Sequence, residues 1–414
     1  MQTTPKSLRL TIAIVGRMNV GKSSLLNYLA GQDVAITAPL PGTTTDVVEK
    51  PMEFLPLGPV LFLDTAGMDD VSELGRQRVA RTMRALERAD VAVLLLEVNQ
   101  WGAAEEQILA RAKARSLPLI AVVGKCDLQA PTAAWLAEVQ QRVPQVLLAA
   151  TVDLSGRETF LTGLRQALLA VCPDDFLRPP PLMGDLVPPG GLVVLVVPID
   201  TGAPQGRLIL PQVQTIRDAL DHDAAALVVK ERELAHVLGR LTTPPELVVC
   251  DSQVVQKMVA DVPLAVPCTT FSILFARLKG DLQRLAAGAA AVDRLGSGDK
   301  VLIAESCSHH AREDDIGRVK IPRWLRQHTG VALQVDTVAG RDFPADLSAY
   351  KLVIQCGGCM ITRREVLYRI QQAQAAGVPI TNYGLCIAQT QGVLRRVLSP
   401  FPAALAAWEE ASRP

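Results

Sequence analysis

The chain has 414 residues, enough for two or three domains that each bury a core of their own. Lysine plus arginine equals aspartate plus glutamate, 42 each, so no global field draws nucleic acid or an acidic membrane, and neither is expected as a partner. The longest apolar runs, such as residues 192–197, fall far short of the roughly 20 residues needed to span a bilayer.

The N-terminus passes from polar residues straight into a strand, with no cleavable signal pattern, so a cytoplasmic protein is expected. In a reducing compartment the eight cysteines serve more often as ligands, catalysts or small buried hydrophobes than as disulfides. A first domain is expected over residues 1–172. Leu10 to Val15 reads as a buried strand, followed at once by Gly16-Arg-Met-Asn-Val-Gly21-Lys22-Ser23 and a helix from Ser24 to Ala30. This is the G-x-x-x-x-G-K-S phosphate loop. Its backbone N–H groups, from Gly16 through Gly21 to Ser24, would cradle phosphates at a helix N-terminus. Lys22 would reach the β- and γ-phosphates, and the Ser23 hydroxyl would bind magnesium.

The next elements specify the nucleotide chemistry. Residues 41–46 read as a loop offering Thr44, or its neighbour Thr43, to magnesium and the γ-phosphate. A strand from Val60 to Leu63 ends in Asp64-Thr65-Ala66-Gly67. Asp64 would hold magnesium through water, and the Gly67 N–H would sense the γ-phosphate. Met68 follows, where Ras-like enzymes carry a water-orienting glutamine, so slow hydrolysis is expected. Asp69, Asp70 and Glu73 read mainly as a solvated loop, and Leu74 to Ala89 as an amphipathic helix. Further buried strands, Val91 to Leu96 and Leu119 to Val123, lead to Gly124-Lys125-Cys126-Asp127. Asp127 would accept the N1–H and amine of guanine, and Lys125 would cover the base. Gly124 stands where the usual N-K-x-D loop has asparagine, which weakens guanine selectivity without displacing GTP as the expected nucleotide.

These motifs resemble the GTPases of the Era and tRNA-modification (MnmE-like) branch. The resemblance implies that Asn19 binds potassium, which stands in for an arginine finger and stimulates hydrolysis.

Six prolines and three glycines mark residues 173–191 as a linker. Over 192–270, short strands alternate with helices: strands at 192–197, 226–229 and 247–249, helices at 212–220, 231–238 and 252–259. That alternation reads as a small parallel α/β domain without a catalytic constellation. His222 and His236 fall on helices, and Cys250 and Cys268 read as buried.

The last domain is expected over 271–414, opening with one long helix from Phe271 to Leu295. The strand Val301 to Ala304 delivers Cys307, and the run Leu352 to Ile354 delivers Cys356-Gly-Gly-Cys359. Two strand ends carrying three thiols suit a metal or iron–sulfur centre. Any one of His309, His310, Glu313 or Asp314 would complete a four-ligand set. Spacing alone leaves iron–sulfur, zinc bound by Cys307, His309, Cys356 and Cys359, thiol redox chemistry and plain packing open.

With the cysteines added, nearly the whole chain resembles the HydF family, the maturation GTPases of FeFe hydrogenases. The stretches 196–200 and 206–220 carry that likeness as well as Cys307-Ser-His309 and Cys356-Gly-Gly-Cys359. The resemblance implies a dimerising middle domain and a homodimer. It also implies a 4Fe–4S cluster on Cys307, Cys356 and Cys359, with His309 or Asp314 as candidate fourth ligand. A transient diiron subcluster would come from radical-SAM maturases and pass to apo FeFe hydrogenase. Gln355 departs from the pattern, which has a histidine there, and is a poor iron ligand. The expected fold is α/β throughout, a P-loop GTPase domain followed by two smaller parallel α/β domains. The competing reading is a tRNA-modification or ribosome-assembly GTPase with structural zinc.

Overall fold

The structure, a computed structural model, describes residues 9–31, 48–68, 73–177, 180–198, 208–306, 315–340, 343–358 and 361–413. The chain divides into two compact units, residues 1–179 and 180–414. Among the described residues no helix is long and apolar enough to cross a membrane.

The first unit runs β1 (Leu10–Gly16), α1 (Lys22–Ala30), β2 (Val48–Glu53), β3 (Pro59–Asp64), α2 (Glu73–Arg88), β4 (Val91–Leu96) and α3 (Ala103–Ala114). It continues with β5 (Leu119–Val123), α4 (Ala133–Arg142), β6 (Gln145–Leu148), α5 (Arg157–Val171) and a short α6 (Asp174–Leu177). The six strands form one sheet in the order β2-β3-β1-β4-β5-β6, parallel except for the β2–β3 hairpin. Successive residues of each central strand feed opposite faces. Ile12, Ile14, Val93, Leu95 and Val122 pack with Leu25, Leu29 and Phe160 of α1 and α5. Ala13, Val15, Leu94, Leu96 and Val123 pack with Leu86, Ile108 and Val139 of α2, α3 and α4. Burial on both faces is why these strands read as unbroken apolar runs.

The second unit holds β7 (Leu192–Val196), α7 (Leu210–Asp221), β8 (Ala225–Val229), α8 (Leu234–Leu238), β9 (Leu247–Cys250), α9 (Val255–Asp261) and β10 (Cys268–Thr270). After α10 (Phe271–Lys279) and α11 (Leu282–Ala289) come β11 (Lys300–Ala304), α12 (Ile321–Thr329), β12 (Gln334–Val338), β13 (Leu352–Gln355) and α13 (Arg363–Ala375). The chain closes with β14 (Ile380–Asn382), α14 (Tyr383–Thr390), α15 (Leu394–Val397) and α16 (Pro402–Ala411). Two four-stranded parallel sheets result, ordered β10-β9-β7-β8 and β12-β11-β13-β14. One continuous core joins them: Val194 and Leu195 of one sheet and Leu302 and Val353 of the other share it with Phe275, Leu285 and Leu385.

The single helix expected over 271–295 is three pieces. Gly280 ends α10 with an extended backbone, and the Asp281 side chain caps α11 by accepting the Arg284 N–H at 3.1 Å. A 3₁₀ turn, Ala290–Arg294, follows. A glycine followed by a capping aspartate is a helix stop and start, and it overrides the continuous apolar pattern.

Candidate functional site

The phosphate loop is built where β1 stops. Parallel pairing sets Ile14 opposite Asp64 of β3 and Gly16 opposite Leu95 of β4, so the loop and the Asp64 strand end emerge side by side. A Cβ on Gly16 would stand 2.4 Å from the Leu95 carbonyl oxygen, so only glycine fits there. Asn19 and Gly21 take the left-handed conformation, and Gly21 is the N-cap of α1. Lys22, nearly buried, turns its ammonium to the carbonyls of Gly16, at 3.3 Å, and Arg17. The lysine of the G-x-x-x-x-G-K-S motif is thus held over its own loop.

The Ser23 hydroxyl donates to Oδ2 of Asp64 at 2.6 Å. Asp64 is fully buried, and among the described residues its Oδ1 has no hydrogen-bond partner. Burial raises its pKa, opposed by the Ser23 hydrogen bond and the Lys22 charge. An orphaned buried carboxylate oxygen beside a serine hydroxyl fits a hard divalent cation with oxygen ligands, as magnesium requires. Beyond Asp64, the Thr65 hydroxyl donates to the Ile14 carbonyl at 2.8 Å and that of Thr82 to the Ala66 carbonyl at 3.0 Å. Gly67 lies so close that a Cβ would meet the Met18 backbone nitrogen at 2.5 Å. Met68 is buried in the α2–α3 face of the core, so its side chain cannot orient water. Ser24 follows on the first turn of α1. Thr43, Thr44, Asp69 and Asp70 lie outside the described residues.

On the base side, the Gly124 N–H donates to Leu96 at 2.9 Å, and Lys125 is left-handed with its ammonium 3.5 Å from Glu97. A Cβ on Gly124 would stand 3.3 Å from Leu95 Cδ1 and 3.5 Å from the Val20 carbonyl oxygen, a tight seat for any side chain. Asp127 is exposed on the same turn. Burial pushes the intervening Cys126 thiol up.

Reading the sequence missed one fixture of this loop. Glu105 of α3, 1% exposed, takes two hydrogen bonds of 2.7 Å from the Arg17 guanidinium and a third, of 2.8 Å, from the Gly102 N–H. Burial pushes the Glu105 carboxyl up, but these donors outweigh it and hold the group below its ordinary value. Gly102 followed three residues later by glutamate is a helix-start signal. Nothing local points it at Arg17.

In the second unit, β11 and β13 are neighbouring parallel strands with Ala304 opposite Gln355. Cys356 therefore leaves the sheet beside Ser306. Its N–H donates to Ala304 at 2.9 Å, and its sulfur accepts the Ser306 N–H at 3.1 Å and lies 2.9 Å from the Ser306 hydroxyl. Gln355 is buried with its Oε1 unpaired among the described residues. Among those residues no three His, Cys, Asp or Glu side chains gather to hold a metal ion. Cys307, His309, His310, Glu313, Asp314 and Cys359 lie outside them. Cys250, Cys268 and Cys386 are buried in the core.

Three family models match in chain order: one described as 50S ribosome-binding GTPase over residues 11–125, the hydrogen maturase F dimerization domain over 182–280, and the hydrogen maturase F tetramerization domain over 283–400. The last two cover more than half of the chain between them. The tRNA modification GTPase MnmE of a Synechococcus species is 47% identical over 141 residues, 33% of this chain and 29% of that protein. MnmE of Nitrosomonas europaea is 42% identical over 166 residues, 37% of this chain and 36% of that protein. The chain thus spans about a third of the length of these relatives, and the likeness lies in the GTPase domain. A crystal structure of Aquifex aeolicus Era aligns with a TM-score of 0.36 at 22% identity, over 53% of this chain and 91% of that one.

Proposed function

Because the chain belongs to the hydrogen maturase F family, with a P-loop GTPase domain at its head, we propose that it is the nucleotide-switched scaffold of FeFe-hydrogenase maturation. In this reading it holds a 4Fe–4S cluster, receives a diiron precursor from radical-SAM maturases and delivers it to the apo-hydrogenase. The family's dimerization and tetramerization domains make it an oligomer, and we take the homodimer as its basic unit.

In the GTPase domain, Lys22 and the N–H groups from Gly16 to Ser24 take the phosphates, while Ser23, Thr44 and Asp64 hold magnesium. The Gly67 N–H reads the γ-phosphate. Asn19 holds potassium, which supplies the positive charge that an arginine finger would bring, while the buried Met68 orients no water. Lys125 and Asp127 read guanine with no side-chain help from position 124.

For the cluster, the carrying observation is the environment of Cys356. Its sulfur sits at the end of one parallel strand and accepts a backbone N–H from the next strand's end, one residue before Cys307. Hydrogen bonds to sulfur are among the protein features that tune iron–sulfur clusters. Cys307, Cys356 and Cys359 would hold the cluster, with His309 or Asp314 as fourth ligand. When bound, the cluster would supply an iron with an exchangeable position at which cargo docks.

The test is iron, sulfide and zinc content with EPR after anaerobic reconstitution of the wild type and Cys356→Ser. About four irons and a reduced-cluster signal, both lost in the variant, are expected. Stoichiometric zinc without an EPR signal would overturn the cluster and leave a GTPase with a structural metal.

A further inference from the structure

The helix that begins at the phosphate loop is held at its other end by residues from the base side. α1 starts with Lys22 and Ser23 and stops at Gly31, a left-handed C-cap, with no basic residue in its last turn. The last carbonyls of a helix have no partners within it, and a cation placed there also suits the helix dipole. Arg157, the first residue of α5, fills both roles. Its Nε donates to the Tyr28 carbonyl at 2.6 Å and its Nη2 to the Leu29 carbonyl at 2.9 Å. A Cβ on Gly31 would stand 2.9 Å from that Nη2, so the guanidinium lies flush against the helix end. The attachment is mutual. Tyr28, 5% exposed and packed on Phe160 of α5 with ring centroids 5.8 Å apart, donates its hydroxyl to the Asp153 carbonyl at 3.0 Å.

Asp153 lies in the loop, residues 149–156, that joins β6 to α5. Its carboxylate turns back on that loop, accepting the Ser155 N–H at 2.9 Å and the Ser155 hydroxyl at 2.6 Å, and its N–H donates to the Ala150 carbonyl at 3.0 Å. The far end of the loop is tied to the base turn. The Cys126 N–H, between Lys125 and Asp127, donates to the Ala149 carbonyl at 3.2 Å, and the Ala149 N–H to the Val123 carbonyl at 2.8 Å. A continuous path thus leads from Lys22 along α1, through Tyr28 and Arg157, and back by Asp153 and Ala149 to the turn that carries Asp127. A shorter path would run through position 124. A Cβ there would stand 3.5 Å from the Val20 carbonyl oxygen of the phosphate loop, where a side chain could bridge loop and turn, and glycine brings none.

We propose that Tyr28 and Arg157 are positioning residues for guanine recognition, a clamp that fixes the base turn relative to the phosphate loop in place of a side chain at 124. The inference rests on the reading of Lys125 and Asp127 as guanine-binding. Recognition groups must be held to within about 0.5 Å of their productive geometry, and hydrogen bonds behind them do that holding. Loosening the clamp therefore costs affinity drawn from the base and spares affinity drawn from the phosphates.

The test measures dissociation constants of GDP and IDP for the full-length chain, by competition against a fluorescent GDP. IDP is GDP without the exocyclic amine, so the ratio of the two affinities reports the bond between that amine and the Asp127 carboxylate. Tyr28→Phe should lower the GDP preference about threefold and Arg157→Met about fivefold, the worth of one hydrogen bond. Arg157→Lys, which keeps the charge but not the planar fork, should recover part of the loss. Equal losses for GDP and IDP would reduce the pair to a structural support, and unchanged constants would remove even that; either result overturns the proposal. Should Arg157→Met fail to fold, Tyr28→Phe, which deletes a single oxygen, decides alone. Asp127→Ala separates the two levels. If it leaves the ratio at its wild-type value, the base reading fails and the clamp has nothing to position. If it lowers the ratio while the Tyr28 and Arg157 variants do not, the base reading stands and the clamp fails.

Discussion

Asp64 concentrates the chemistry of the first unit in one carboxylate. It is fully buried, bonded to Ser23 through one oxygen, and unpaired at the other among the described residues. Burial lifts its folded pKa above the unfolded value, so a proton binds it more tightly in the metal-free folded chain than in the unfolded one. The sign follows. The stabilisation from that proton is complete below the ordinary carboxylate pKa and is lost as pH rises through the raised value. Magnesium competes with that proton as pH falls. Magnesium affinity should therefore weaken on acidification at a higher pH than a solvated aspartate would cause, and over that acidic range binding should release protons. Calorimetric magnesium titrations in buffers of different ionisation enthalpy read both effects. An affinity flat from about pH 7 to about pH 4.5 would sink the assignment. Asp64→Asn keeps the shape but not the charge, and should lower magnesium-dependent GTP turnover by more than about tenfold. The Arg17–Glu105 pair is the opposite case. Its donors hold the glutamate's pKa below the ordinary value, so the pair keeps its charge to lower pH than a solvated glutamate would and gives the loop a fixed base.

At the scale of elements, what could be read from the chain was what is contiguous. The strands β1, β3, β4, β5, β11 and β13 announce themselves because helices cover both faces of their sheets, and the site residues lie at their ends. β2 does not: Val-Glu-Lys-Pro-Met-Glu is an edge strand with a proline and half-exposed residues, so it carries no alternation to read. β12, Gln-Val-Asp-Thr-Val, is likewise a half-exposed edge. The clamps were illegible for another reason. Arg17 and Glu105 are 88 residues apart, and Tyr28 and Arg157 are 129 apart, and no single sequence carries such pairings. A third edge bears on assembly. β8 ends the sheet β10-β9-β7-β8, and Val228 on it is 42% exposed. An apolar edge strand invites pairing with another chain, and this one lies within the dimerization-domain match. A lysine is the usual device against such pairing. Val228→Lys should therefore lower the mass measured by light scattering after size-exclusion chromatography while GTP turnover persists. An unchanged mass would place the dimer contact elsewhere.

For the molecule as a whole, the two compact units have separate cores: among the described residues no buried cluster draws from both. Heat should accordingly melt them in two transitions, because cooperativity follows a shared core. Each ligand should first stabilise the unit that binds it. Magnesium and GDP at about a hundred times their dissociation constant add about 2.7 kcal/mol to the GTPase unit, and the proposed cluster would act likewise on the other. That separation gives the switch hypothesis a thermodynamic form. If GTP alters how the second unit holds or releases cargo, the coupling must be reciprocal, and couplings of this kind amount to about 1–3 kcal/mol. Replacing GDP by a non-hydrolysable GTP analogue should then move the second transition, read by calorimetry on the cluster-loaded protein, and cluster loading should change nucleotide affinity by the same factor. If the second transition ignores the nucleotide and loading leaves affinity unchanged, the units are thermodynamically independent. GTP would then have to act through partners that touch both units, and cargo transfer measured with GTP and with GDP would differ only when the apo-hydrogenase is present.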